Sequence, residues 1–375
     1  MNLFDVYPLY NVTPISAKGI KVVDDKGQEY LDFYGGHAVI SIGHAHPHYV
    51  RRIKEQLDLI GFYSNAIQNP LQGELAEKLV QQSKCYDYNL FLCNSGAEAN
   101  ENALKLASFH TNKSRVIAFK NGFHGRTSAA VAATDNEAIN APINKQQKVT
   151  FLEFNNLKSF QKEIEKGDVC AVILEAVQGV GGLDEPTTEF YQAMANLCKE
   201  NNVVLIADEV QSGYGRTGKF FAFQHHDIKP DIITIAKGMG NGFPVGGVLI
   251  QEEIRASYGL LGTTFGGNHL ACAASLAVLE VIEQEDLVRN AAKMHTYFVE
   301  KAATIPQIKK VKGRGLMLGL QFDFEVGELR RKLIYNQFVF TGGAKDKTLL
   351  RILPALNITT TQIDLFFDAL KAELN

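Results

Sequence analysis

A chain of 375 residues, 46% of them hydrophobic, is long enough to bury a large core and to divide into two domains. Its formal net charge of -3, without a basic block, argues against nucleic acid or an anionic membrane as a partner. Five scattered cysteines without C-x-x-C spacing suit a reducing, cytoplasmic setting, no apolar run reaches transmembrane length, and the opening residues lack the pattern of a secretory leader.

Residues 1–48 read as short strands and turns, with a hairpin over 21–33 that turns at 25–27. His44, His46 and His48 alternate, but no cysteine or carboxylate stands beside them at zinc-ligand spacing, so a loop is expected. Helices are expected over Pro47–Leu59 and Pro70–Ser83. A strand at 89–93 then meets a small polar turn at 94–97, behind which Ala99, Ala103, Leu106, Ala107 and His110 recur at helical spacing. Such a turn is an anion site, because free backbone N–H groups and the positive end of the helix dipole converge there. A plain Ser95 N-cap explains the same residues.

The alternation of strand, polar end and helix continues. Arg115–Phe119 runs into Gly122, Phe123, His124, Gly125 and Arg126, Val169–Leu174 ends at Glu175 and a glycine-rich stretch at 178–182, and 203–207 ends at Asp208 and Gln211. After Pro230, the apolar run 232–236 delivers Lys237 into a turn containing Gly238, Gly240 and Gly242. This order implies a parallel sheet with right-handed crossovers and all the reactive groups on one edge. A lysine there, partly desolvated, can form a Schiff base, although a strand-end lysine reaching water is the commoner case for any single residue. Asp208 follows five apolar residues and needs a partner. A protein cation would serve, as would the ring nitrogen of a cofactor such as pyridoxal phosphate. Phe123 can lie on a ring face and Arg126 can fork onto a carboxylate; a core phenylalanine and a surface arginine are the ordinary alternatives. Residues 213–218 match G-x-G-x-x-G, but 219–226 lack helical apolar spacing and Pro230 soon follows, so a dinucleotide site is not expected.

Beyond 262–268, an amphipathic helix over 271–303, with a break near Asp286, leads to a strand at 316–322, a helix at 328–335, an apolar segment at 349–354 and a closing helix at 361–374.

The ordered set SGAEAN (95–100), FHGRT (123–127), DEVQSGYGRTG (208–218), AKGMGNGFPVG (236–246) and TTFGGN (263–268) resembles the class III, fold type I pyridoxal-phosphate aminotransferases. The similarity is strongest to the acetylornithine and succinylornithine branch and runs from Gly35-Gly36 to Leu350-Arg351. It implies an α/β fold with a mostly parallel central sheet flanked by helices, and a smaller α+β domain built from both termini. Residues 1–48 would join that small domain, 49–268 would form the large cofactor-binding domain, and 269–375 would supply the linking helix and the rest of the small domain. The resemblance also implies pyridoxal 5'-phosphate, with Lys237 as its covalent carrier, Asp208 on the pyridine nitrogen, Gln211 on the ring hydroxyl, Phe123 on the ring face, and Ser95, Gly96 and Ala97 on the phosphate. Thr264 would reach the phosphate of a neighbouring subunit in a homodimer with shared sites. Arg126 and Arg351 would clamp substrate carboxylates.

The implied reaction moves the terminal amine of an N-acylornithine to 2-oxoglutarate, in arginine biosynthesis. An ω-aminotransferase for ornithine, 4-aminobutyrate or lysine, a glutamate-semialdehyde aminomutase and a non-enzymatic cofactor-binding protein are the alternatives. Gly36 stands near a tyrosine of the free-ornithine enzymes, and its missing side chain would leave room for an acyl amide. Val180 stands where the family carries a glutamate that pairs with the arginine matched by Arg351. Arg351 is therefore expected either to stay free for a carboxylate in both half-reactions or to find another partner. Ala176, His269 and Ala355 replace usual prolines, and the stretch 322–349 is short.

Overall fold

The computed structural model describes residues 3–374. Strands β1 (Pro14–Lys18), β2 (Lys21–Asp24) and β3 (Glu29–Asp32) form an antiparallel meander, turning between β2 and β3 where the sequence predicts. The central sheet takes β4 (Tyr88–Cys93), β5 (Arg115–Phe119), β6 (Val149–Leu152), β7 (Val169–Leu174), β8 (Val204–Asp208), β9 (Ile232–Ile235) and β10 (Gly246–Gln251). Their order is β4-β10-β9-β8-β7-β5-β6. Every residue of β7, β8 and β9 is buried, as their unbroken apolar runs require of strands covered on both faces. The neighbours from β9 through β6 pair in parallel, and β10 runs antiparallel to both β9 and β4. The sheet is thus mostly parallel.

Two of its strands are not apparent from the sequence. β6 is short and only half-buried, and β10 opens on two glycines that continue the preceding glycine-rich turn.

Near the C-terminus, β11 (Lys310–Arg314), β12 (Met317–Gln321), β13 (Val339–Phe340), β14 (Gly342–Gly343) and β15 (Leu349–Ile352) complete the strands. β13 pairs in parallel with β3, so early and late parts of the chain share a sheet. The others form a sheet of order β11-β12-β15-β14, with Arg351 of β15 opposite Gly319 and Gly342.

The helices Pro47–Leu59 and Pro70–Ser83 have the expected bounds, the second opened by Pro70 and capped by the Asn69 side chain on Leu71 N. The stretch expected as one interrupted helix is a pair, His269–Gln284 and Leu287–Ala302, parted by Asp286 in the left-handed region at φ 48°.

Residues 213–218 form turns and start no helix. They bury Arg216, whose guanidinium donates to the carbonyls of Leu316, Pro354 and Ile40; desolvation lowers its pKa to about 9. The loop therefore ties the region before β4 to the region around β12 and β15. The alternating histidines meet separate carboxylates: His44 pairs with Asp32 at 2.8 Å, His46 with Glu285 at 2.9 Å, and His48 with Glu280.

Candidate active site

The carboxyl ends of β4, β5, β7, β8 and β9 open on one cavity of about 380 Å³, a size suited to a cofactor with part of a substrate. Ser95, Gly96, Ala97, Phe123, Arg126, Asp208, Gln211 and Lys237 all line it, and so does Val180.

Lys237 follows β9 with its backbone in the left-handed region, φ 46°, a conformation costly for a residue with a Cβ and characteristic of functional sites. Its amine has no hydrogen-bond or ion-pair partner among the described residues. Desolvation lowers its pKa against the opposing pull of Asp208 and Glu175, while Arg351 adds to the lowering. A neutral amine is the nucleophilic form.

Asp208 ends β8 and is buried. Its Oδ2 accepts from Asn100 Nδ2 at 2.8 Å and from His124 Nδ1 at 2.7 Å, and its Oδ1 accepts from Val210 N at 3.0 Å. Burial opposes charge on His124, but the hydrogen bond and charge of Asp208 prevail and raise its pKa. A carboxylate so held is fixed in place, facing the cavity where a cationic group could pair with it.

At the end of β4, the helix Gly96–Thr111 begins, with Ser95 Oγ accepting from Glu98 N at 3.2 Å. The N–H groups of Gly96 and Ala97 have no partner among the described residues and face the cavity at the positive end of the helix. Glycine is required here because a Cβ at position 96 would stand 2.5 Å from Val210 Cγ1. A free amine, a fixed carboxylate, a flat aromatic wall at Phe123 and an anion cradle suit pyridoxal 5'-phosphate: Lys237 for its aldehyde, Asp208 for its ring nitrogen and Gly96 with Ala97 for its phosphate.

Arg351 is buried beside the cavity and reaches it through its neighbours. Its Nη1 donates to Gly179 O at 2.7 Å and more distantly to Gln211 Oε1 at 3.5 Å; its Nε donates to Gly343 O and its Nη2 to Tyr34 Oη at 3.3 Å. It has no carboxylate partner among the described residues, and Val180 offers none. Of the two outcomes open from the sequence, Arg351 therefore finds other partners, all of them neutral. Arg126 stands exposed at the cavity wall, also without a carboxylate partner among the described residues.

Besides Arg351, two expected site residues do not line the cavity of this chain. Thr264 is exposed, while the neighbouring Thr263 Oγ1 accepts from Asn94 Nδ2 at 3.1 Å. Gly36 is exposed at φ 54°, and a Cβ there would meet nothing within 4 Å.

The structure adds residues to which the sequence assigned no role. Asn100 is the polar break in the apolar face of its helix, and its Oδ1 accepts from Thr234 Oγ1 at 2.7 Å. Glu175 follows six buried residues of β7 as Asp208 follows β8, and accepts from Phe123 N at 3.0 Å and Gly179 N at 2.9 Å. Burial and then the charge of Asp208 raise its pKa. That shared position after a buried strand was the available signal.

This fold and cavity define a fold type I pyridoxal-phosphate enzyme. The chain belongs to the class III aminotransferases, whose family profile, "Aminotransferase class-III", matches residues 7–374. It is 41% identical over 369 residues to an acetylornithine aminotransferase of Bacillus subtilis, covering 96% of this chain and 94% of that one. It is 39% identical to a succinylornithine transaminase of Photorhabdus laumondii, covering 94% and 90%. Among solved structures, the ornithine aminotransferase of Toxoplasma gondii superposes with a TM-score of 0.90 at 26% identity, covering 98% of this chain and 91% of that one. An S-selective transaminase from Arthrobacter sp. gives 0.90 at 25%, covering 100% and 95%. The protein is a pyridoxal-phosphate-dependent aminotransferase, and its substrates are a small-molecule amino donor and a keto acid.

Proposed function

We propose that the protein transfers the terminal amine of an N-acylornithine, acetyl or succinyl, to 2-oxoglutarate, giving the acylated semialdehyde and glutamate for arginine biosynthesis. The observation that carries this reading is a pair of arginines, Arg126 exposed at the cavity wall and Arg351 buried beside the cavity, neither with a carboxylate partner among the described residues. Arg126 supplies a planar fork for a substrate carboxylate, and Arg351, with four of its five N–H groups already engaged, keeps one Nη2 N–H and its charge for a second. The similarity to acetylornithine and succinylornithine enzymes over nearly the whole chain supports the choice of donor.

When bound, pyridoxal phosphate supplies an electron sink. Lys237 would hold it through its amine, and that amine, when free, is placed to take a proton from the substrate carbon as general base. Asp208, fixed by Asn100 and His124, holds the ring nitrogen protonated. Phe123 covers the ring, Gln211 meets its hydroxyl, and Ser95, Gly96 and Ala97 hold its phosphate.

The working unit on this reading is a cytoplasmic homodimer. Leu57, Leu59, Ile60 and Phe62 are exposed along one short stretch of chain, and the Phe62 ring lies 5.4 Å from that of exposed Phe265, next in sequence to Thr264; exposed apolar groups of this kind suit a second copy of the chain. Thr264 then serves the neighbour's phosphate. Residues 49–268 act as the large domain, and 1–48 with 269–375 form the rest.

Mixing the purified holoenzyme with acetylornithine, succinylornithine, ornithine and 4-aminobutyrate, each with and without 2-oxoglutarate, tests the reading. An acylated donor is expected to give the fastest glutamate production. Preference for free ornithine or 4-aminobutyrate would overturn it.

A further inference from the structure

The guanidinium of Arg351 is buried, and a buried cation without a counter-ion needs strong compensation. Desolvation is the main influence lowering its pKa. Its compensation is a closed ring of neutral groups. Nη2 donates to Tyr34 Oη at 3.3 Å, and its guanidinium lies 5.8 Å from the centre of the Tyr34 ring. Tyr34 Oη also hydrogen-bonds His37 Nδ1 at 2.5 Å, donating its proton there when that nitrogen is bare. The His37 carbonyl accepts from Gln211 Nε2 at 3.2 Å, and Gln211 Oε1 returns to Arg351 Nη1.

The ring carries no added charge when His37 is neutral, and with Nδ1 bare the tyrosine proton is directed to it. Partial desolvation, with Arg351, Lys237 and Arg330 nearby, lowers the His37 pKa to about 4 and keeps the ring neutral. The backbone is committed to the same end. Gly35, Gly36, His37 and Ala38 all have φ between 54° and 67°, a single left-handed turn closed by Ala38 N on Tyr34 O and Val39 N on Gly35 O. Two residues with side chains in that turn, His37 and Ala38, are strained, a state that persists only where surrounding contacts enforce it. The turn brings the His37 ring back onto the Tyr34 hydroxyl, three residues earlier.

We propose that Tyr34 and His37 are positioning residues: a neutral clamp that aims Arg351 at a substrate carboxylate without cancelling its charge. A carboxylate in their place would compete with the substrate and would have to swing away each time one bound. The neutral clamp needs no such exchange, so the same arginine pose serves both half-reactions. This rests on the reading of Arg351 as a carboxylate site.

The test uses holoenzyme and glutarate, an unreactive dicarboxylate, with binding measured by calorimetry. Tyr34→Phe, which loses only the hydroxyl, is expected to weaken glutarate binding about tenfold, the loss of one hydrogen bond to a charged group. It should raise KM for 2-oxoglutarate by a similar factor with kcat nearly unchanged. The half-reaction with butylamine, which has no carboxylate, should keep its wild-type rate. His37→Asn tolerates the left-handed backbone, keeps an acceptor near Nδ1 and should bind glutarate as wild type does, whereas His37→Phe should behave as Tyr34→Phe. Unchanged glutarate binding in Tyr34→Phe, or equal losses towards glutarate and butylamine, would overturn the clamp, and His37→Asn as weak as His37→Phe would overturn the part given to His37. The glutarate comparison decides this even if the wild type were found to prefer another amino donor.

Discussion

Asp208→Asn removes one charge from the cavity while keeping its shape, and its cost follows from three hydrogen bonds. The carboxylate accepts from Asn100 and His124 on one oxygen and from Val210 N on the other. An asparagine offers one acceptor oxygen and one donor NH₂. If its oxygen faces Val210, the NH₂ opposes the Asn100 amide; His124 can change tautomer, but Asn100, whose own oxygen is taken by Thr234, cannot turn. If its oxygen faces Asn100 and His124, the NH₂ meets the Val210 N–H instead. Either way one buried donor is left unpaired, a cost of about 1–3 kcal/mol. Urea unfolding of the apo-protein should show a loss of that size. On the proposed reading the variant also loses the anion for the cofactor's ring nitrogen, and removing one preorganised electrostatic group slows the chemical step roughly 10²–10³-fold. Stopped-flow absorbance with acetylornithine, following the half-reaction of cofactor-loaded variant, measures that loss separately from binding. A half-reaction at the wild-type rate would refute the role of Asp208, and unchanged stability would refute the hydrogen-bond reasoning.

Lys237→Met should abolish turnover and yet leave the apo-protein at least as stable as wild type at pH 7. The folded-state pKa of Lys237 lies below its unfolded value, so the unfolded chain binds more protons and wild-type stability rises with pH in the window below 10.5. Urea unfolding of both proteins from pH 7 to pH 10 should show this slope flattened in the variant, and parallel slopes would contradict it. Val180→Glu puts a carboxylate beside Gly179, whose carbonyl already holds Arg351, and should raise KM for 2-oxoglutarate about tenfold in steady-state assays; an unchanged KM would place Arg351 out of its reach. Gly96→Ala forces a methyl group to within 2.5 Å of Val210 Cγ1, with an overpacking cost of about 1–3 kcal/mol, and should weaken pyridoxal phosphate binding in titrations of the apo-protein. Wild-type affinity would show that the turn yields freely.

Much of the fold was legible because its strands are apolar on both faces and end on polar or glycine-rich turns. β7, β8 and β9 announce themselves in this way, and so do the groups at their ends. β6 and β10 do not, one being a short half-buried edge strand and the other opening on glycines. Lys237 and Asp208 were visible because each follows an uninterrupted buried run, and the cradle at Gly96 because a small polar turn joins the apolar strand β4 to a helix. Their supports were not: Asn100 and His124 reach Asp208 from other elements, and sequence spacing carries no sign of such meetings. Tyr34 and His37 were hidden for a further reason. They come within reach of each other only through a left-handed turn, and Arg351 joins them from a strand more than three hundred residues away. Arg216 was concealed within a glycine pattern whose nucleotide-binding meaning does not apply, because the residues after it turn toward the far sheet.

Borohydride reduction of the holoenzyme, followed by peptide mass spectrometry, tests the central claim most directly. The pyridoxyl mass is expected on Lys237, and prior incubation with acetylornithine or succinylornithine should remove it by converting the cofactor to its amine form. A tag on any other lysine, or one on Lys237 that neither acylated donor displaces, would contradict the account.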